Sequence, residues 1–302
     1  MSTYNGVKYI DRQLQSIYMQ VLPSDFNLQL LIRDDKSADA TVQLIKKWED
    51  KLDITLISGK ENVGPAKSFW RLLKIAPKSD FYAFSDQDDI WDKDKLAIAI
   101  KYLGAQSNKI PLLYGCQARE KNYEKNEIKK IDQSDHPLNL TSIMINGSFE
   151  GCSMVFNNNA RMEAIKQDEN LIPMHDFALL ISTMLTGKVL YDKEPHFTHV
   201  IHTNNADTID KNQGVYKRIK KARIKWRKNS NATPINKYLA YIIANYSTDF
   251  SNEDLIFYKL VRDYRGSLLN KLKIIFIIFK NRDSSYHDSE RSFAVRILLN
   301  QI

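Results

Sequence analysis

The chain has 302 residues, 43% of them hydrophobic, enough to bury a real core, which excludes a disordered polypeptide and points to one large domain or a domain with an appendage. Its two cysteines, Cys116 and Cys152, lack the spacing of a thiolate metal site or a disulfide framework, so a reducing compartment, by default the cytosol, is expected. The start, MSTYNGVKYIDRQ, has no apolar core of signal-peptide length and no later stretch reaches a spanning helix, while the net charge of +8 gathers in Lys211 to Lys237, which holds ten Lys or Arg and no acid.

From residue 8 to about 104, apolar residues at helical spacing alternate with short runs rich in β-branched and aromatic residues. Ile10, Leu14, Ile17 and Val21 mark one helical face, and LQLLIR (28–33) reads as a buried strand. Val42, Ile45 and Trp48 lie on a second helix, followed by the strand ITLIS (54–58). Phe69, Leu72, Leu73 and Ile75 stripe a third helix, and FYAFS (81–85) makes a third strand. Strands separated by single helices tend to lie parallel with both faces covered, so an α/β sheet domain is expected, with ligands at the carboxyl ends of the strands. Those ends are polar: Arg33, Asp34 and Asp35 after one strand, Ser58, Gly59 and Lys60 after the next, Ser85 to Asp89 after the third. The acids therefore converge on one edge.

Further along, INGSFEGCSMVFNN (145–158) mixes turn residues with a short apolar strand, and a helix runs from about Asp176 to Leu185; this region is expected to close over the acidic edge. Beyond Asn212, Val215, Ile219, Ala222 and Trp226 fall on one side of a helix whose other side is Lys and Arg. The run IIFIIF (274–279), flanked by Lys271, Lys273, Lys280 and Arg282, is too short to span a bilayer but long enough to dip into its interface. A basic helical cap over the core and a helix lying on an anionic membrane surface both fit. A nucleic-acid partner is not expected, because no nucleic-acid motif accompanies the charge.

SDQDDIW (85–91) carries the most chemistry. Three carboxylates sit just past a buried strand, and hard divalent cations take such oxygen ligands, with phosphate oxygens completing the shell. Asp86 and Asp88 are the candidate ligands. A solvated turn is the plainer alternative for such a cluster, and Asp89, just before IWDKDKL, also suits a helix cap.

Read together, MSTYNG at the start, IRDDKSADAT (32–41), ENVGPAKSF (61–69), SDQDDIW, GCSMVFN (151–157), MHDFALLI (174–181) and IHTNNAD (201–207) come in the order seen in glycosyltransferase family 2. The chain resembles its bacterial rhamnosyltransferase-like branch, which builds cell-surface polysaccharides, over about residues 1–210. The resemblance implies a GT-A fold, a Rossmann-like mixed sheet flanked by helices, in 1–210, followed by a helical, basic region over 211–302. On the donor side it implies Ser2, Tyr4 stacked on the base, Asp35 accepting from the base imide with support from Asp34, and Lys67, Asp86 and Gln87 near the sugar diphosphate. Asp86 and Asp88 match the DXD motif, with His202 as a further metal ligand. Gly151, Cys152 and His175 match the acceptor pocket, and Asp176 matches the catalytic base of inverting members. Cys152 reads as a small packed residue rather than a nucleophile.

The activity implied is an inverting, Mn²⁺- or Mg²⁺-dependent glycosyltransferase of the hexosyltransferase class. Its donor would be a dTDP- or UDP-sugar, with rhamnose the first guess, and its acceptor a glycan or lipid-linked oligosaccharide. The basic run 211–237 would hold it on the inner face of the bacterial plasma membrane. The chain departs from the family at its start: members begin with a strand of several apolar residues before the counterpart of Ser2-Thr3-Tyr4. If the sequence is complete, the sheet is expected to lack its first strand and Tyr4 its anchor; a start further upstream explains the gap more simply. A catalytically silent nucleotide-sugar-binding subunit is the alternative.

Overall fold

The alternating pattern of the first hundred residues folds as βα units. In the computed structural model, which describes residues 1–123, 127–129, 138–147, 150–201, 235–280, 287–298 and 302, β1 (Ser2–Thr3) leads to α1 (Ile10–Tyr18), β2 (Gln29–Asp34), α2 (Thr41–Lys46), β3 (Asp53–Ser58) and α3 (Pro65–Ile75). The three strands lie parallel in one sheet, with Ser2 beside Arg33 and Leu31 beside Thr55. α1 buries Ile10, Leu14 and Ile17 as its periodicity predicts. Val21 does not join that face: the helix stops at Tyr18, and the Val21 amide instead donates to the Lys93 carbonyl at 2.7 Å, leaving its side chain exposed. Ile75, the last residue of α3, is exposed for a similar reason, since Pro77 ends the helix and Leu72 and Leu73 carry the buried face.

The third anticipated strand, β4 (Phe81–Ala83), does not extend the parallel set. It pairs antiparallel with β8 (Val155–Asn157), in a second sheet ordered β4, β8, β6 (Leu112–Asn122), β9 (Lys188–Ile201), β5 (Ile90–Trp91), with β7 (Glu127–Lys129) on β6. Only β6 and β9 are parallel there, so the whole is a mixed architecture. A cavity of about 400 Å³ keeps the sheets apart, lined on one side by Leu30 and Leu31 and on the other by Phe81, Ala83 and Phe84. Tyr4 keeps an anchor: its N–H donates to Oε1 of Gln87 (2.9 Å), and Nε2 of Gln87 donates to its carbonyl (3.1 Å).

The helices of the middle region begin at capped turns. Asn139 accepts from the Ser142 amide ahead of α5 (Leu140–Asn146), and Asn157 from the Ala160 amide ahead of α6 (Asn158–Ala164). α4 (Lys95–Gly104) lies under β6, and α7 (His175–Thr186) is buried along most of its length. Four later helices follow: α8 (Ile235–Tyr246), α9 (Asn252–Arg262), α10 (Leu268–Lys280) and α11 (His287–Leu298). Their Tyr238, Ile242, Phe257, Ile274 and Ile297 enter the same apolar cluster as Ile143 and Leu180. Polar bonds reinforce the union, since Tyr258 donates to the Leu140 carbonyl (3.1 Å) and the Asp254 carboxylate accepts from the Thr141 amide and hydroxyl (3.0 and 2.7 Å). A second cluster, including Ile10, Leu14, Ile32, Trp48, Tyr114 and Phe197, underlies the N-terminal half.

The expected basic helix over 215–226, the boundary at 210/211 and His202 lie outside the described residues. Among the described residues, no helix is long and apolar enough to cross a membrane.

Candidate active site

The loops that follow β1, β2 and β3 form a polar shelf whose groups are nearly all spoken for. Asp34 accepts from the Ser37 amide (2.9 Å) and hydroxyl (2.5 Å) and from the Thr3 hydroxyl (3.2 Å). Asp35, 2% exposed, pairs with the buried Arg33 guanidinium and accepts from the amides of Val63 (3.0 Å) and Gly64 (2.8 Å). Gly64 has φ of +80°, a conformation that favours glycine and here turns its N–H toward Asp35. Ser2 donates to Ser68 (2.6 Å), to which Arg33 also donates (3.1 Å). Asp35 thus braces the loop that follows β3, and the base contact that the resemblance implies for it is a further role. Tyr4, held by Gln87, leaves its ring 48% exposed.

Gly6, whose role no sequence pattern signals, allows that clamp, because a Cβ there would lie 2.1 Å from Oε1 of Gln87. Lys67 is not a free cation; its Nζ donates to Asn170 (2.9 Å), joining α3 to the segment between α6 and α7.

Beside the shelf lies a cluster with the opposite character. β5 and β9 run antiparallel with Ile90 beside Thr198, which sets Asp89 opposite His199, and Nδ1 of His199 meets Oδ1 of Asp89 at 2.9 Å. Asp89 is 1% exposed, and its Oδ2 has no hydrogen-bond partner among the described residues. It is therefore not the helix cap that its position before IWDKDKL suggested; the residue preceding α4 is Asp94. Burial, followed by the charges of Asp89 and Asp88, pushes the Asp86 carboxyl well above its ordinary range. Glu150 is pushed up to about 7, by burial first and then by Asp89, Glu120 and Asp176, against a lowering by His199. Burial would lower the His199 pKa, but its bond to Asp89 and the charges of Glu150, Asp89 and Asp86 outweigh it and raise the imidazole to about 10.

Two further groups complete this surround. The Cys152 thiol is held protonated by burial and the neighbouring acids, in keeping with a packed residue rather than a nucleophile. Its sulfur and ligand atoms of Asp89 and His199 lie within 4.8 Å of one another. Lys95 is fully buried over the Trp91 ring at 4.0 Å, and its Nζ has no hydrogen-bond partner among the described residues. Burial lowers its pKa, while Cys116, Cys152 and Asp89 act in the other direction. An unpartnered buried carboxylate oxygen and mutually repelling acids are the environment a divalent cation relieves; the carboxylate oxygens suit Mg²⁺ or Mn²⁺, and an imidazole beside them favours Mn²⁺. The residues present thus fit a metal.

The residues expected on the acceptor side gather around the start of α7. Gly151 abuts the start of α7 so closely that a Cβ would sit 3.0 Å from Nε2 of His175 and 3.2 Å from Cβ of Asp176. Asp176 is half-buried in the first turn of α7, accepts from the Phe177 amide (2.7 Å), and its charge reaches both Asp86 and Glu150. His175, the other residue expected there, is packed among aromatic rings. It is 4% exposed, stacked on Phe69 with centroids 4.1 Å apart and edge-on to Phe84 at 4.7 Å, so aromatic packing holds it as a wedge beside Asp176. Burial lowers its pKa, which keeps the ring neutral. Glu150, His199 and Lys95 carry no signal in the sequence because only the β5–β9 register and the turn at Gly151 bring them to the acids.

Residues 1–163 match the family described as Glycosyl transferase family 2. A dTDP-rhamnosyl transferase of Shigella flexneri, RfbG, is 38% identical over 108 residues, 34% of this chain and 36% of that protein. The abequosyltransferase RfbV of Salmonella typhimurium is 30% identical over 136 residues, 44% of this chain and 38% of that protein. Each match thus spans little more than a third of the relative's own length. Solved structures align along nearly the whole chain. TarS 1–349 of S. aureus in complex with UDP-GlcNAc gives a TM-score of 0.56 at 17% identity, covering 99% of this chain and 90% of that one. The mannosyltransferase PcManGT of Pyrobaculum calidifontis, in complex with GDP-Man and Mn²⁺, gives 0.52 at 18% identity, covering 99% and 85%. The fold is GT-A.

Proposed function

Taking as premise that the chain belongs to glycosyltransferase family 2, we propose that it transfers a sugar, with inversion, from a nucleotide diphosphate donor to a hydroxyl of a cell-surface polysaccharide or lipid-linked oligosaccharide precursor. The observation that carries this reading is the acidic cluster around the buried Asp86, where the charges of Asp89, Asp88 and Asp176 all bear on one carboxyl, next to Gln87, which holds the Tyr4 backbone. On this reading Tyr4 stacks on the base, and Lys67 and Gln87 border the diphosphate. Asp86 and Asp88, with His199 or His202, would hold Mn²⁺ or Mg²⁺, which supplies positive charge to the departing diphosphate. Asp176 accepts the proton of the acceptor hydroxyl as its oxygen bonds to the anomeric carbon and the bond to the diphosphate breaks. Gly151 leaves room for the acceptor beside it.

A dTDP-sugar, rhamnose first, is the donor this reading favours, supported by the similarity to RfbG; UDP-sugars are the next to test. The protein would work on the inner face of the plasma membrane, with the basic run 211–237 facing anionic lipid.

The test is nucleotide release from a panel of dTDP- and UDP-sugars, each with Mn²⁺ or with EDTA and with an acceptor extract. Release from one donor that depends on metal and acceptor supports the reading. A folded protein that binds nucleotide yet releases none with any pairing overturns it in favour of a silent binding subunit.

A further inference from the structure

The outward face of α10 is built unlike the rest of the surface. Ile274 and Ile278 point into the core, so the apolar run that contains them is not a free stripe as a whole. What remains outside is Leu268, Leu269, Leu272, Phe276 and Phe279, each between 44% and 69% exposed. At 100° per residue these five occupy one continuous arc of the helix. Lys273 and Lys280 border the arc on one side and Lys271 on the other. A groove of about 430 Å³ runs between this arc and α9, lined by Ile256, Leu260, Leu272, Phe276 and Ile277, with Lys273 as its one cation.

The charge on α10 itself has a single sign, between Asp263 before it and Asp283 after it. From Tyr264 to Arg282 the sequence carries Arg265, Lys271, Lys273, Lys280 and Arg282 and no acid. Five large apolar side chains side by side on the outside of a protein are unfavourable in water. An apolar arc bordered by lysines is the pattern of a helix lying in a lipid interface, its apolar side chains among acyl chains and its lysines reaching up to phosphate.

The geometry points to α10 as a membrane-docking helix that seats the Leu268–Leu272–Phe276–Phe279 arc in the surface of a bilayer containing anionic phospholipid, with an acyl chain in the groove beside α9. This deepens the location suggested above and assigns it to a different segment, by apolar insertion rather than by the charge of 211–237. The occupant is lipid rather than a second copy of the chain because self-association would set Lys271, Lys273 and Lys280 against the same lysines. Docking here also bears on the reaction. α9 is bonded to α5, and α5 leads toward the turn at Gly151, so the anchored body and the acceptor side of the site belong to one packed unit.

Vesicle sedimentation of the full chain tests the assignment and needs no donor or acceptor, so it stands or falls apart from the transferase reading. The wild type is expected to sediment with phosphatidylcholine vesicles containing phosphatidylglycerol and to remain in solution with phosphatidylcholine alone. The double variant Leu272→Gln, Phe276→Gln should lose at least tenfold in partitioning while keeping the wild-type melting temperature, since both side chains are exposed. Lys273→Gln should lose about fivefold, the effect of one cation near an anionic surface. Undiminished sedimentation of the double variant would overturn the assignment. So would a wild type that ignores anionic vesicles, or a wild-type dimer that the double variant converts to monomer.

Discussion

Asp35 and Asp89 are both buried aspartates at the ends of strands, and they differ in everything that follows from burial. Asp35 has an arginine and two backbone amides to answer its charge. Asp89 has one imidazole, an oxygen with no hydrogen-bond partner among the described residues, and repelling acids nearby. A desolvated charge is costly unless something neutralises it. Where the protein does so itself, the carboxylate is part of the scaffold. Where it leaves the task incomplete, an added cation would complete it.

The sharpest way to break this contrast is through the reaction. Asp176→Asn should lower the turnover of sugar transfer by about 10² to 10⁴ fold, the usual worth of a general base, with the donor dissociation constant unchanged. A variant that loses donor binding in proportion would place Asp176 in the binding machinery instead. Next in size is a pair with opposite signs. Asp35→Ala strands the buried Arg33 and two amides and should cost about 3 kcal/mol or more in urea unfolding. Asp86→Asn removes a repelled charge and should raise the urea midpoint of the metal-free protein at pH 8. If both variants destabilise, the contrast fails.

Titration supplies a smaller effect. The carboxyl of Glu150 is raised to about 7, so its contribution to stability is full below about 4.5 and is lost as pH rises through about 7. The imidazole of His199 is raised to about 10, so its contribution is full below about 6.5 and is lost as pH rises through about 10. Both losses accumulate as pH rises, so the cluster is more negative at pH 8 than at pH 6 and metal displaces fewer protons there. The rise in melting temperature caused by saturating Mn²⁺ should therefore be greater at pH 8 than at pH 6, and a rise that is equal at both would count against metal at these acids. The smallest change expected is Gly151→Ala, whose methyl group meets His175 and Asp176. It should raise the acceptor KM severalfold, leave donor binding intact, and be read from transfer rates at varied acceptor.

Much of the donor half is legible in the amino-acid sequence. Ile10, Leu14 and Ile17, and the strands 29–34 and 53–58, follow from local periodicity, which depends only on neighbours in the chain. The loops after those strands can be placed at one edge because parallel strands share a direction. The same logic misassigns β4, whose partner is a strand more than seventy residues away, and it misses the hold that Gln87 has on Tyr4.

Sequence alone determined the α/β character, the position of the acids at strand ends, and the candidates Asp86, Asp88 and Asp176, because spacing, composition and motif order are properties of the chain itself. Only the tertiary structure decided that Asp35 is neutralised within the scaffold while Asp89 and Glu150 are not. It alone buried His175 between Phe69 and Phe84 and turned Phe276 and Phe279 of the run 274–279 outward. The physical reason is common to all of these: the cost of a charge and the exposure of an apolar side chain are set by what surrounds them in space, and those surroundings come from strand register and helix packing between residues far apart in sequence.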